Sequence, residues 1–215
     1  MNYITHVKDS IEKAEKLESK LSEEVINIDG MVGLKTRHFY NNLLSMEHSK
    51  YLEIGCLLGA STCAAMYNNN AFIVCVDNFS EFGNNKDKLL DNINKYKGIN
   101  KVIFIEDDCF NINLNNSPKF NIYLYDGNHS YESQYKALTY YYDFLEDIFI
   151  LIIDDWNWTS TVEKGTRNAI KDLNLTILYE KEIKLTNDGS TTPLDIAKNT
   201  WWNGIYIAVL CKTKI

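Results

Sequence analysis

Along residues 1–27, apolar side chains return every three or four positions, at Ile4, Val7, Ile11, Ala14, Leu17, Leu21 and Val25, with charges between them. That period predicts an amphipathic helix. A loop holding Gly30 and Gly33 follows, and then a second predicted helix, Thr36–Met46. From about residue 50 the pattern alternates. Short apolar runs, KYLEIG, AFIVCVD, KVIFIEDD, FNIYLYDG and DIFILIIDD, read as strands. Between them GASTCAAMY, Lys86–Tyr96 and SYESQYKALTYYYDFL read as helices. A last helix, Val162–Leu173, precedes two strand-like runs, LTILYEKEI and NGIYIAVLCK, which can pair as an antiparallel hairpin.

Strands alternating with helices imply an α/β fold, with a mostly parallel sheet covered on both faces. Unbroken apolar runs such as FILII fit strands buried on both sides. No internal repeat, low-complexity tract or Pro/Gly/Ser linker divides the chain. The expected organisation is a helical N-terminal extension over residues 1–47 and one domain over residues 48–215. In open α/β sheets, ligands lie beyond the carboxyl ends of the strands. Here those ends carry Gly55, Asp77, the pair Asp107 and Asp108, Asp126, and the pair Asp154 and Asp155. Acids often cap the next helix, but a glycine or an acid at all these ends marks a ligand edge.

Composition narrows the functions rather than the fold. The chain is 45% hydrophobic and 24% charged, enough to bury a sizeable core, so disorder is not expected. A formal charge of −7 argues against binding nucleic acid through its backbone. No apolar run approaches the roughly 18–20 residues that cross a bilayer, and MNYITHVKDSIEKAEK is too charged for a secretory signal. A cytoplasmic setting without membrane contact is therefore expected. Five cysteines, an odd number with no CxxC, read as buried thiols and not as disulfides or zinc ligands. The N-terminal stripe can pack on the domain or join two copies of the chain.

EIGCLLGAST places Gly55 and Gly59 between a strand and a helix, where glycine lets backbone approach a ligand closely. The spacing lacks both the GxGxxG of dinucleotide folds and the GK[ST] of phosphate loops, which disfavours an NAD-dependent oxidoreductase. Asp77, ending the second strand, can accept from both ribose hydroxyls or cap a helix. With EIGxxxG, VCVDN and IEDDC in this order, the chain from Lys50 onward resembles the class I S-adenosylmethionine-dependent methyltransferases. The resemblance implies a Rossmann-like, seven-stranded fold and S-adenosylmethionine as cofactor. It implies that Glu53, Gly55 and Gly59 form the loop round the amino-acid part of the cofactor, with Ser61 and Thr62 opening the next helix. It places Asp77 at the ribose and Asp108 with Cys109 near the adenine, Asp107 competing with Asp108. Asp126 is counted with the cofactor-binding residues as well.

LYDGNHSY and LIIDDWNW add acids on two strands joined by one helix. Carboxylates converging there repel unless they are protonated or neutralised by a cation. Hard oxygen ligands suit Mg²⁺, Mn²⁺ or Ca²⁺ rather than zinc. The alternative is three separate helix caps. His129 has the ordinary pKa, about 6.5, that suits a base at neutral pH. DGxH followed by a strand ending in DD resembles metal-dependent sugar O-methyltransferases of the macrocin and mycinamicin type, and related viral and bacterial glycan methyltransferases. That resemblance implies Asp126, Asp154 and Asp155 as Mg²⁺ ligands and His129 as the base. Relatives carry Glu-Asp where this chain has Asp154 and Asp155, which sets Asp154 apart.

The expected acceptor is a sugar or glycan hydroxyl. Rival readings are a catechol-like small molecule as acceptor, or a nucleotide- or metal-binding module without catalysis. Arg37 and His38 are candidates to reach cofactor or acceptor, or to pack on the sheet. The polar segment Lys184–Asn203 ends near Trp201 and Trp202, whose rings suit sugar stacking as well as core packing. The run WNWTSTVEKGTR after the fifth strand is a further candidate to border the acceptor, with Arg167 as a candidate partner for an acidic group.

Overall fold

The change of period near residue 50 marks the start of the sheet. In the computed structural model, which describes residues 2–212, the strands are β1 (Ser49–Ile54), β2 (Ala71–Val76), β3 (Lys101–Ile105), β4 (Phe120–Tyr125), β5 (Leu145–Asp154), β6 (Thr176–Ile183) and β7 (Ile205–Cys211). Their spatial order is β3-β2-β1-β4-β5-β7-β6. The first five pair in parallel, and β7 runs antiparallel between β5 and β6. The mostly parallel Rossmann-like sheet and its C-terminal antiparallel hairpin are as the sequence predicts.

Alternation along each strand sends side chains to opposite faces. Tyr51, Ile122, Leu124, Ile150 and Ile152 take one face, covered by α3 (Leu34–Leu43), α4 (Ala60–Met66) and α5 (Lys86–Tyr96). Leu52, Tyr123, Leu151, Ile153 and Tyr206 take the other, under α6 (Tyr131–Tyr141) and α7 (Lys164–Asp172). The five residues Phe149–Ile153 are at most 1% exposed. At about 1.5–3 kcal/mol for each large side chain, such burial fixes the register of the strand ends.

Several elements differ from the periodicity. The first helix, α1 (Tyr3–Glu15), stops early. Leu17 adopts a left-handed φ of 57°, and the N–H groups of Leu17 and Glu18 donate to the carbonyls of Ala14 and Lys13. That is the helix stop usually made by glycine. The stripe resumes only in the single turn α2 (Glu23–Ile26). Val7 and Ala14 of α1 are buried and α1 packs on α3, so this stripe is used within the chain. β3 ends at Ile105, which leaves Asp107 and Asp108 in the following loop. A turn of π-helix, Thr159–Glu163, leads into α7. The polar segment Lys184–Asn203 contains α8 (Leu194–Asn199). Among the described residues, no helix is long and apolar enough to cross a membrane.

The chain winds outward from β1 to β3, then returns to β4 on the other side of β1. The reversal leaves a crevice beyond the ends of β1 and β4, the usual ligand position in such sheets. Gly55 sits there at φ 84°, so close to the Asp126 carbonyl that a Cβ would collide with it. Both the left-handed backbone and the missing space exclude a side chain. Gly55→Ala is expected to destabilise the protein by at least about 2 kcal/mol, read from urea denaturation midpoints.

Candidate active site

A cavity of about 620 Å³ opens at this crevice. Its floor begins with the loop after β1, where Gly55 and Ser61 reach the lining. The loop is tied to the end of β2 by one carboxylate. Asp77 Oδ2 accepts from Cys56 N (2.9 Å) and Leu57 N (2.8 Å), and Oδ1 accepts from Phe79 N (2.7 Å). A carboxylate has about four acceptor positions, so capacity for a ligand hydroxyl is left.

Three expected loop residues stand outside the cavity. Glu53 and Thr62 are wholly buried, and neither lines it. Glu53 points to the face covered by α4 and accepts from the Ser61 hydroxyl, so it anchors the start of that helix. Gly59 also does not reach the lining; it caps α4 in a left-handed conformation and packs against Leu89. The expected loop is therefore divided between residues that face the cavity and residues that hold those in place.

The loop after β3 contributes Asp107, Asp108, Cys109 and Phe110 to the lining. The two carboxylates bind their own turn: Asp107 Oδ1 accepts from Asp108 N, and Asp108 Oδ1 accepts from Phe110 N. Phe110 stacks on Tyr125 with ring centres 6.5 Å apart. Burial pushes the Cys109 thiol up to about 12, so it stays neutral at physiological pH.

Asp126, His129 and Asp155 come together from the ends of β4 and β5, with candidate ligand atoms within 4.8 Å of one another. Gly127 makes the turn between the first two, because a Cβ there would press on the Tyr125 ring. Asn128 Oδ1 accepts from Ser130 N, and Ser130 caps α6, which fixes the loop carrying His129. Asp155 lies in a left-handed conformation, φ 58°, that turns its carboxylate into the cavity. His129 Nε2 is 2.7 Å from Asp155 Oδ2, yet the two lack the alignment of a hydrogen bond. Asp155 Oδ1 is buried without a protein partner.

The structure separates Asp154 from the other two acids expected as metal ligands. Asp154 is the last β5 residue, and alternation places it on the same face as Ile150 and Ile152. It is 3% exposed and does not line the cavity. Its place beside Asp126 and Asp155 is taken by His129. Burial, then Asp154 and Asp155, hold the Asp126 carboxyl well above the usual range. Burial and Asp155 do the same to Asp154. For His129, burial disfavours the cation, but the Asp155 contact and charge, with help from Glu81, outweigh it and raise its pKa.

Sequence reasoning takes the run WNWTSTVEKGTR as a border of the acceptor without singling out Trp158, whose ring lies 4.8 Å from the His129 ring and lines the cavity. DDWNW contains two tryptophans, and nothing in its spacing tells them apart. Trp156 is the core residue, stacked on Tyr206 at 4.3 Å. Asn157 between them is likewise not singled out. Its Oδ1 accepts from Leu185 N and Thr186 N, and its Nδ2 donates to Thr192 Oγ1. It thus pins the segment 184–203 to the end of β5. Trp202 reaches the cavity, while Trp201 is buried and donates to Glu15.

The other candidates serve the scaffold. Arg37 is buried, which lowers its pKa to about 10, and it donates to the Ile28 and Val32 carbonyls. It buttresses the loop that brings Gly30, Met31 and Val32 to the cavity, without entering it. His38 is buried with Nδ1 2.7 Å from Ser19 Oγ. Arg167 pairs with Glu180 and Glu182 and lies over the Tyr206 ring.

Residues 52–156 match a family model described as a methyltransferase domain. Among solved structures, the chain is similar to an O-methyltransferase from Bacillus cereus in complex with SAH. The two share 15% identity over 97% of this chain and 100% of that one, with a TM-score of 0.63. It is also similar to an SAH-bound methyltransferase from Podospora anserina, at 13% identity, 94% and 86% coverage and a TM-score of 0.59. No curated protein matches the sequence. The structural likeness shows the class I methyltransferase fold. The matched residues run from β1 to just past β5, the strands whose ends border the cavity.

Burial raises Glu53 from its ordinary 4.5 to about 7, against the opposing hydroxyls of Ser61, Thr62 and Tyr51. A raised carboxyl pKa contributes stability below pH 4.5 that is lost as pH rises to 7. The loss amounts to about 3 kcal/mol. Glu53→Gln should therefore flatten the fall in stability between these pH values, measured by denaturation midpoints of both proteins across the window.

Proposed function

We propose that the protein transfers the methyl group of S-adenosylmethionine to a hydroxyl of a sugar or glycan, assisted by a divalent cation. One observation carries this reading: the Gly55 loop with Asp77, and the trio Asp126, His129 and Asp155, open into the same cavity. The SAH held by both similar structures supports the cofactor. S-adenosylmethionine, when bound, supplies an electrophilic methyl on a sulfonium. The Gly55 loop lines the cavity where it would lie, and Asp77 has acceptor capacity for its ribose. Asp108 and Cys109 stand where the adenine is expected.

Asp126 and Asp155 would hold the cation, which would supply Lewis acidity toward an acceptor hydroxyl. Two features of the site fit such an ion. Asp155 Oδ1 is an orphaned buried acceptor, and the Asp126 carboxylate is costly to ionise without a counter-charge. The chemistry is that of hard oxygen donors, suited to Mg²⁺ or Mn²⁺. His129 takes the proton from the acceptor hydroxyl. Its side chain is 40% exposed, so the proton can pass on to water. Asp155 stabilises the imidazolium by charge, and Trp158 limits the swing of the ring. Much of the acceleration then comes from positioning.

The apolar side chains of Met31, Phe82 and Trp158 in the lining favour one second reading, a catechol-like acceptor at the same site. Calorimetry and SAH release against a panel of sugars, glycans and catechols test both. His129→Gln is expected to lower turnover about 100-fold or more while leaving cofactor affinity nearly unchanged. Absence of S-adenosylmethionine binding would overturn the whole reading. A chelator should abolish turnover and Mg²⁺ restore it; turnover that survives chelation removes only the cation.

A further inference from the structure

The charges round the cavity are one-sided. Among the described residues that line it, the acids are Asp77, Glu81, Asp107, Asp108, Asp126 and Asp155, and there is no lysine or arginine. Nearby cations are turned to other tasks. Lys136 lies behind the Phe110 ring, 4.3 Å from its centre, and Lys86 pairs with Glu106 at 2.7 Å. Arg37 is consumed by backbone carbonyls. A divalent cation and one sulfonium still leave the carboxylates in excess. The site is also built to receive a ligand, since Asp155, 5% exposed, keeps an unpartnered oxygen in it.

Most of these acids have work already. Asp77 holds the β1 loop, Asp107 and Asp108 hold their own turn, and Asp126 and Asp155 stand together. Glu81 does not: it makes no hydrogen bond or ion pair among the described residues, and its charge acts on His129. It therefore faces the acceptor end of the cavity. The same end is apolar and aromatic. Trp158 packs beside His129, and Phe82 and Met31 line the cavity while 57% and 42% exposed. Aromatic faces attract an ammonium group and the apolar edge of a ring, while a low-dielectric cleft of one sign repels like charge.

Resting on the methyltransferase reading above, we propose that this site selects its acceptor by charge: it takes neutral or amine-bearing hydroxyl compounds with one apolar face, excludes phosphorylated and carboxylated ones, and reads that charge through Glu81. Nucleotide-sugars and sugar phosphates are thereby excluded as acceptors, and amino sugars and aromatic amines that carry hydroxyls are admitted.

The test is calorimetry on the full chain with SAH and Mg²⁺, using two matched series. One is dopamine, methylcatechol and protocatechuate; the other is glucosamine, glucose and glucuronate. The skeleton that binds tells a phenol from a sugar. Within it the amine should bind at least about tenfold more tightly than the carboxylate, with the neutral probe between. Glu81→Lys, on an exposed loop position, should close or reverse that gap. The proposal is overturned if the carboxylate binds as tightly as the amine, if Glu81→Lys leaves the order unchanged, or if no probe of either series binds. S-adenosylmethionine turnover is followed with each probe. The expected order without SAH release would retire methyl transfer and leave charge selection standing. Release without the order would do the reverse.

Discussion

The contact between Gly55 and the carbonyl of Asp126 governs how the rest of this site is assembled. It allows the loops after β1 and β4 to meet where the strand order reverses. The glycine loop and the loop that carries His129 then open into one crevice. Asp77 completes the arrangement from β2 by gathering the N–H groups that the left-handed loop leaves open. Thus two backbone features and one carboxylate set the distance between the loop after β1 and the acids Asp126 and Asp155.

Charge is the second organising constraint. The C-terminal edge of the sheet buries Glu53, Asp154 and Asp155 and half-buries Asp126. Two of these, Glu53 and Asp154, face the packed helices; the others face the cavity. The buried pair shapes stability as pH changes. The cavity pair carries an electrostatic demand for positive charge that the protein itself does not meet. Neutralising such acids by lysine or arginine would satisfy the charge but close the space a ligand needs.

Much of the fold is legible in the sequence because buried parallel strands write long apolar runs and end in glycine or acid. Those endings also point to the crevice, and Asp126, His129 and Asp155 can be picked out there. What the runs cannot reveal is which way an end residue turns. Asp154 and Asp155 are adjacent and chemically identical, and a single left-handed φ at Asp155 decides which enters the cavity. Glu53 looks like a ligand residue in EIGxxxG, but alternation points it beneath α4. Trp158 and Glu81 lie outside any periodic element and gain a role only from long-range packing. The early stop of α1 is similar, since a left-handed leucine breaks a stripe that would otherwise continue.

Asn157 joins two functions at one side chain. It follows directly on the acid Asp155 and Trp156, and its one side chain binds Leu185, Thr186 and Thr192 in the segment 184–203. The outer surface of that segment, including Leu194 and Ile196, is free of these bonds and open to solvent. At its far end Trp202 and Asn203 line the cavity, so the anchor holds this wall in register with the end of β5 while the outer face stays open to change.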